Sequence, residues 1–202
     1  MDSYQLMSFL LASVVLTLMP GPDILFVVAQ SISGGWRKGV SVAVGLCSGL
    51  VVHTSAVALG VAAILSKSAS GLLIVKVAGA AYLLYLAYKS WGENGVELAK
   101  GNEGAGYFRL VRIGFVMNVL NPKVLLFFLA FLPQFVVPND TAMIQVFALG
   151  ALFFVQALLI FSLVAFFSGL LNSYISSSSF ASYMGKAKAI VFLLIAANLF
   201  WV

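Results

Sequence analysis

Asp23 and Lys123 each lie inside a long apolar run directly after a proline, as Pro22-Asp23 and Pro122-Lys123. A charged side chain at the centre of a bilayer costs roughly 2.5 to 3.5 kcal/mol on insertion scales, so each needs a partner or a task. The alternatives are hydration of Asp23 near an interface and snorkelling of Lys123 to one surface. Opposite charges at the same offset from a proline, in two hydrophobic stretches, predict two broken helices whose breaks meet near the membrane midplane. In Met19-Pro20-Gly21-Pro22-Asp23 two prolines remove backbone donors and the glycine between them accepts almost any backbone angle, so a continuous helix is not expected. Asn118-Val119-Leu120-Asn121-Pro122-Lys123 repeats the arrangement with two amides. Those amides either satisfy backbone groups that the proline orphans or ligand the ammonium and carboxylate of a solute.

His53 is the sole histidine, in the middle of an apolar run. It suits a proton relay, or it is hydrogen-bonded to a neighbouring helix. Gly45 with Gly49, and Ala56 with Gly60, are small-xxx-small pairs that permit close helix contact and leave a homodimer open. Gln134, Gln156 and Asn198 are further intramembrane polar groups consistent with a hydrated path, and Lys76 is expected to snorkel. There is no phosphate loop, no H-E-x-x-H and no G-x-S-x-G, so neither ATP use nor covalent catalysis has a motif here. A single midplane Asp speaks against an intramembrane aspartyl protease. Cys47 is the only cysteine, which excludes a disulfide framework and a thiolate metal site.

The elements that must position these residues follow from composition. Of 202 residues, 62% are hydrophobic and 8% charged, with a mean hydropathy of +1.10, too little polar surface to coat a soluble globule. The chain reads as an integral, all-α membrane protein with about six transmembrane helices, because its apolar residues fall into six runs near bilayer length. These are Leu6 to Ala29, Gly39 to Leu65, Ser70 to Tyr88, Ile113 to Val137, Ala142 to Leu171 and Met184 to Val202. No strand period supports a barrel. The sixth run is the weakest, since its uninterrupted part, Ala189 to Val202, extends only about 21 Å as a helix. The leader Met1 to Gln5 carries no positive charge and no small-residue cleavage site follows the first run, so that run is expected to stay in the mature protein.

The net charge of +5 is dispersed over short loops, which favours orientation in the lipid bilayer over a nucleic-acid partner. Arg37, Lys38, Lys89, Lys100, Arg109, Arg112, Lys186 and Lys188 fall on one side and Lys67 on the other. The bias places both termini outside and the central loop in the cytoplasm. That loop, Trp91 to Tyr107, is glycine-rich and of mixed charge, and reads as a linker. It divides the chain into a first three-helix repeat over 1–90, a linker over 91–110 and a second repeat over 111–202. Three is odd, so the second repeat enters the membrane inverted. Pro22-Asp23-Ile24-Leu25 and Pro122-Lys123-Val124-Leu125 lie 100 residues apart in the first segment of each half, which puts the breaks at Pro20-Pro22 and Pro122 in helices one and four. Ser176 to Ser179 looks like a spacer, and Asn139-Asp140-Thr141 formally matches a glycosylation acceptor.

Together these residues resemble the LysE/RhtB family of amino-acid exporters. The matching stretches are Pro20 to Asp23, Gly45 to Gly49 followed by His53, Ala78 to Leu83, and Asn121-Pro122-Lys123 through Phe131-Leu132-Pro133-Gln134-Phe135. The resemblance implies a multi-pass protein of the bacterial inner membrane that exports amino acids such as homoserine, threonine, lysine, arginine or leucine. It also implies drive by the proton motive force, without cofactor or ATP. In that reading Asp23 takes the substrate ammonium or a proton, Lys123 holds Asp23 or meets the substrate carboxylate, and Asn118, Asn121 and His53 complete the site. The breaks at Pro20, Gly21, Pro22 and Pro122 supply free backbone groups. A metal-ion exporter fares worse for want of a carboxylate or histidine cluster. A non-transporting subunit fares worse because of the buried charge.

Overall fold

The computed structural model describes residues 3–19, 21–65, 104–137 and 139–168, with positions 77, 80–82, 84–89, 91, 186, 189–190, 193 and 196–197. Pro20, Lys67, Lys76, Asn198, the Ser176 to Ser179 spacer, most of the linker and most of the third and sixth runs lie outside the described residues. Among those described, the chain is helical with no strand.

The first run folds as two helices, α1 (Ser3–Leu18) and α2 (Pro22–Gly34), at 56° to each other. Gly21 is extended, and Pro22 opens α2 at a position whose missing N–H needs no partner. Asp23 follows in the first turn, where the positive end of the helix dipole favours a carboxylate. Gly35 ends α2 with φ +85, donating its N–H to Ser31, and α3 (Trp36–Leu65) starts on the next residue. The Trp36 ring sits edge-on to Phe166 and under the Arg37 guanidinium, an arrangement suited to a membrane–water boundary.

The fourth run is broken as well. It starts earlier than its hydropathy indicates, as α4 (Tyr107–Val119), and bends by 50° into the segment Pro122–Phe135. That segment is a short α5 (Pro122–Leu126), a wide π-helical turn over Phe127–Phe131 and a tight 3-10 turn over Leu132–Phe135. The fifth run is α6 (Ala142–Phe166). By length and composition α3 and α6 suffice to cross a membrane, and each bent pair supplies a further span, giving up to four among the described residues. Their outer faces are apolar, with Leu59, Ile144 and Leu159 exposed, as lipid requires.

Small residues set how closely these helices approach. A Cβ at Gly45 would strike the Val111 carbonyl, one at Gly114 the Val42 carbonyl, and one at Gly49 the Asn118 amide. The pairs Gly45–Val111 and Gly49–Asn118 climb together in sequence, so α3 and α4 run parallel. Gly39 against Ala165 and Gly150 against Thr54 show that α6 runs antiparallel to α3. Phe9 against Phe153 and Thr17 against Gln156 put α1 parallel to α6. The two broken helices therefore run in opposite directions. The second small-residue pair meets no neighbouring helix among the described residues: Ala56 is exposed, and a Cβ at Gly60 would meet nothing within 4 Å. Beside the breaks the core is aromatic, with Phe9, Phe127, Phe128, Phe131, Phe135 and Phe153 in edge or tilted contact.

Candidate functional site

The two breaks meet. Asn121 caps α5, its Oδ1 accepting the Lys123 N–H at 3.0 Å. That bond turns its amide nitrogen outward, and Nδ2 donates to both carboxylate oxygens of Asp23 at 2.8 Å each. Lys123 Nζ lies 3.8 Å from Asp23 Oδ2 and donates to the Leu16 carbonyl at 3.4 Å. The side chains of Lys123 and Asp23 are 13% and 4% exposed, so the pair is shielded from bulk water. The short hydrogen bonds to Asp23 thus come from the amide, while the ammonium stands one step further away as a charge. The Leu16 carbonyl is one of the last in α1, at the negative end of that helix. Each charge therefore rests on the helix end of matching polarity: Asp23 on the start of α2, Lys123 against the end of α1.

Gly21 belongs to the same centre. A Cβ there would come 3.3 Å from Lys123 Nζ, so the residue between the two prolines leaves room for the ammonium. Pro22 and Pro122 stand at the first positions of α2 and α5.

His53 and Asn118 sit beside this cluster. His53 Nε2 is 3.1 Å from the Asn118 carbonyl, which only accepts, so Nε2 carries a proton. The same carbonyl accepts the Asn121 N–H at 2.9 Å, tying α3 to the α4 break. His53 therefore has a hydrogen bond to a neighbouring helix, and its ring leans on Phe128 at 5.8 Å. The Asn118 side chain takes a different course from that of Asn121: it lies over Gly49, and its Oδ1 is buried with no hydrogen-bond partner among the described residues.

Gln156, expected from the sequence as an intramembrane polar group, joins Ser13 and Thr17, which the sequence did not single out, in a polar seam between α1 and α6. Gln156 Nε2 donates to Thr17 Oγ1 at 3.0 Å and to the Ser13 carbonyl at 3.5 Å, and Thr17 in turn bonds that carbonyl. These groups flank the Leu16 carbonyl that Lys123 holds. Ser13 and Thr17 carried the available signal, polar residues four apart in the run that contains the break. Gln134 bonds back to the Ala130 carbonyl at 2.7 Å, and its oxygen has no partner among the described residues. Asn139 Oδ1 accepts the N–H and hydroxyl of Thr141 and the Gln145 amide, so the formal glycosylation acceptor has a structural use in capping the loop before α6. Among the described residues no three His, Cys, Asp or Glu come together to hold a metal.

A model of the LysE type translocator family matches residues 14–201. The chain belongs to that family. As a LysE-type translocator it is a membrane transport protein that exports small molecules, and not an enzyme. It is similar to the homoserine/homoserine lactone efflux protein of Salmonella typhimurium, 30% identical over 193 residues that cover 95% of this chain and 94% of the relative. It is also similar to an uncharacterized membrane protein of Vibrio cholerae, 28% identical over 96% of this chain and 95% of the relative. The membrane protein YrhP of Bacillus subtilis is 24% identical over 93% and 94%. No solved structure matches. For this LysE-type translocator the centre brings a negative charge, a positive charge and the Asn121 amide together in one buried place. Those are the groups that complement an ammonium, a carboxylate and a hydroxyl or carbonyl.

Proposed function

We propose that the protein exports amino acids and closely related zwitterions across the bacterial inner membrane, driven by the proton motive force, with Asp23, Asn121 and Lys123 as the binding centre. One observation carries the reading: Asp23 is 4% exposed and held between the Asn121 amide and the Lys123 ammonium where two broken helices meet. A structural role alone gives no reason to hold both charges in hydrocarbon, since a buried pair is often no more stable than apolar residues of the same volume. As binding groups they pair with each other when the site is empty and exchange that pairing for an ammonium and a carboxylate when it is filled. Asn118, whose oxygen has no hydrogen-bond partner among the described residues, and His53, with its polarised ring, stand next to the centre and extend it.

The opposed courses of the two broken helices, and the parallel course of α3 and α4, support an inverted repeat of three helices each, with the linker between. The efflux of homoserine and its lactone named for the Salmonella relative makes these solutes, with threonine, the first to test. Cells expressing the protein should lose preloaded labelled homoserine or threonine faster than cells without it and should tolerate toxic amino-acid analogues. Equal retention and equal sensitivity across basic, branched-chain and hydroxyl-bearing amino acids would refute the substrate class.

A further inference from the structure

Gln30 on α2 is fully buried, and neither end of its amide has a hydrogen-bond partner among the described residues. A primary amide shut into an apolar interior with nothing to bond is a standing cost to the fold. The helix makes no use of it: Gly35 caps α2 through Ser31, and the Ser31 hydroxyl returns to the Val27 carbonyl at 2.7 Å. Its position points to a use elsewhere. Gln30 follows Asp23 by seven residues, which on a helix puts the two about 20° apart in projection and about 10.5 Å apart along the axis. Asp23, Phe26, Val27 and Gln30 form one buried stripe, running from the break toward the Gly35 turn that precedes Arg37 and Lys38.

We infer that Gln30 is a second solute-binding station, set between the Asp23 centre and the side of the molecule that carries Arg37 and Lys38. The inference rests on the export reading above. A neutral amide donates to a carboxylate or a lactone carbonyl and accepts from an ammonium or a hydroxyl, so it serves a zwitterionic or neutral polar solute in transit without trapping it by charge.

Two measurements on the full-length protein test this. Gln30→Leu removes the orphaned amide and keeps the volume. Its thermal midpoint should equal or exceed that of the parent protein while homoserine efflux falls at least tenfold, and Gln30→Asn should retain more efflux than Gln30→Leu. Parental efflux in Gln30→Leu overturns the inference, and so does a lowered midpoint, which would mean that the amide holds the fold together. The second measurement needs no known solute. With Cys47→Ala as background, Gln30→Cys and Val28→Cys place thiols at two buried positions on opposite sides of α2. A hydrophilic maleimide should label position 30 and spare position 28. No labelling at 30, or equal labelling at both, overturns the station. If the parent protein exports none of the amino acids offered and position 30 still labels selectively, the substrate class fails while a hydrated path past Gln30 stands.

Discussion

Asn121 does the most at the scale of single residues, because one side chain caps α5 with its oxygen and clamps Asp23 with its nitrogen. The sequence reading left its amide open between satisfying the backbone and binding a ligand, and the structure shows it satisfying a backbone N–H and bonding Asp23 at once. Asn121→Leu removes the cap and the clamp while Lys123 stays beside Asp23, and should lower stability by about 1.5 to 3 kcal/mol, the range for hydrogen bonds to a charged group, as read from unfolding of the purified protein. Asp23→Asn and Lys123→Met should each abolish efflux and reduce abundance. Exchanging the two, Asp23→Lys with Lys123→Asp, should recover abundance more than efflux, because the pair is restored while each charge then faces the wrong helix end. Asp23 and Lys123 were legible in sequence because charge in an apolar run is rare. Gln30 was not, although its spacing of seven from Asp23 was there to be read.

The elements owe their geometry to prolines and glycines acting in different ways. Both breaks were visible in sequence because Pro22 and Pro122 remove donors in mid-run. The π-helical turn at Phe127–Phe131 and the 3-10 turn after it were not, since a run of apolar residues carries no mark of how tightly it winds. Close packing was only half legible: Gly45 with Gly49 and Ala56 with Gly60 look alike in sequence and lie on the same face of α3, and which pair meets a neighbour depends on where α4 ends, at Val119 just past Gly49. The consequence is measurable. Gly45→Ala drives a methyl group into the Val111 carbonyl, a backbone atom that yields little, and should cost about 1 to 3 kcal/mol. Gly60→Ala meets nothing within 4 Å among the described residues and should be neutral or raise stability by up to about 1 kcal/mol through helix propensity. Equal thermal midpoints for the two variants would refute this packing of α3 on α4.

For the whole molecule, the class of protein followed from hydropathy, but which helices lie side by side did not. The polar seam of Ser13, Thr17 and Gln156 joins residues far apart in sequence, and it becomes visible only once α1 and α6 are known to be neighbours. Orientation is a prediction at this scale: labelling of single cysteines should place the 91–107 loop in the cytoplasm and the 138–141 loop outside. Periplasmic labelling of the central loop would reverse the assignment. Energy coupling is another, because efflux should stop when a protonophore collapses the gradient with ATP held constant, and should continue when ATP alone is depleted. The Asp23–Lys123 pair bears on that coupling in a further way. Its two charges sum to zero, so a rearrangement that carries both together through the membrane field does no electrical work, where a lone charge would exchange roughly 2.3 kcal/mol per 100 mV crossed. A solute that is itself zwitterionic adds no net charge, and the membrane voltage then acts on the cycle only through whatever ion accompanies it.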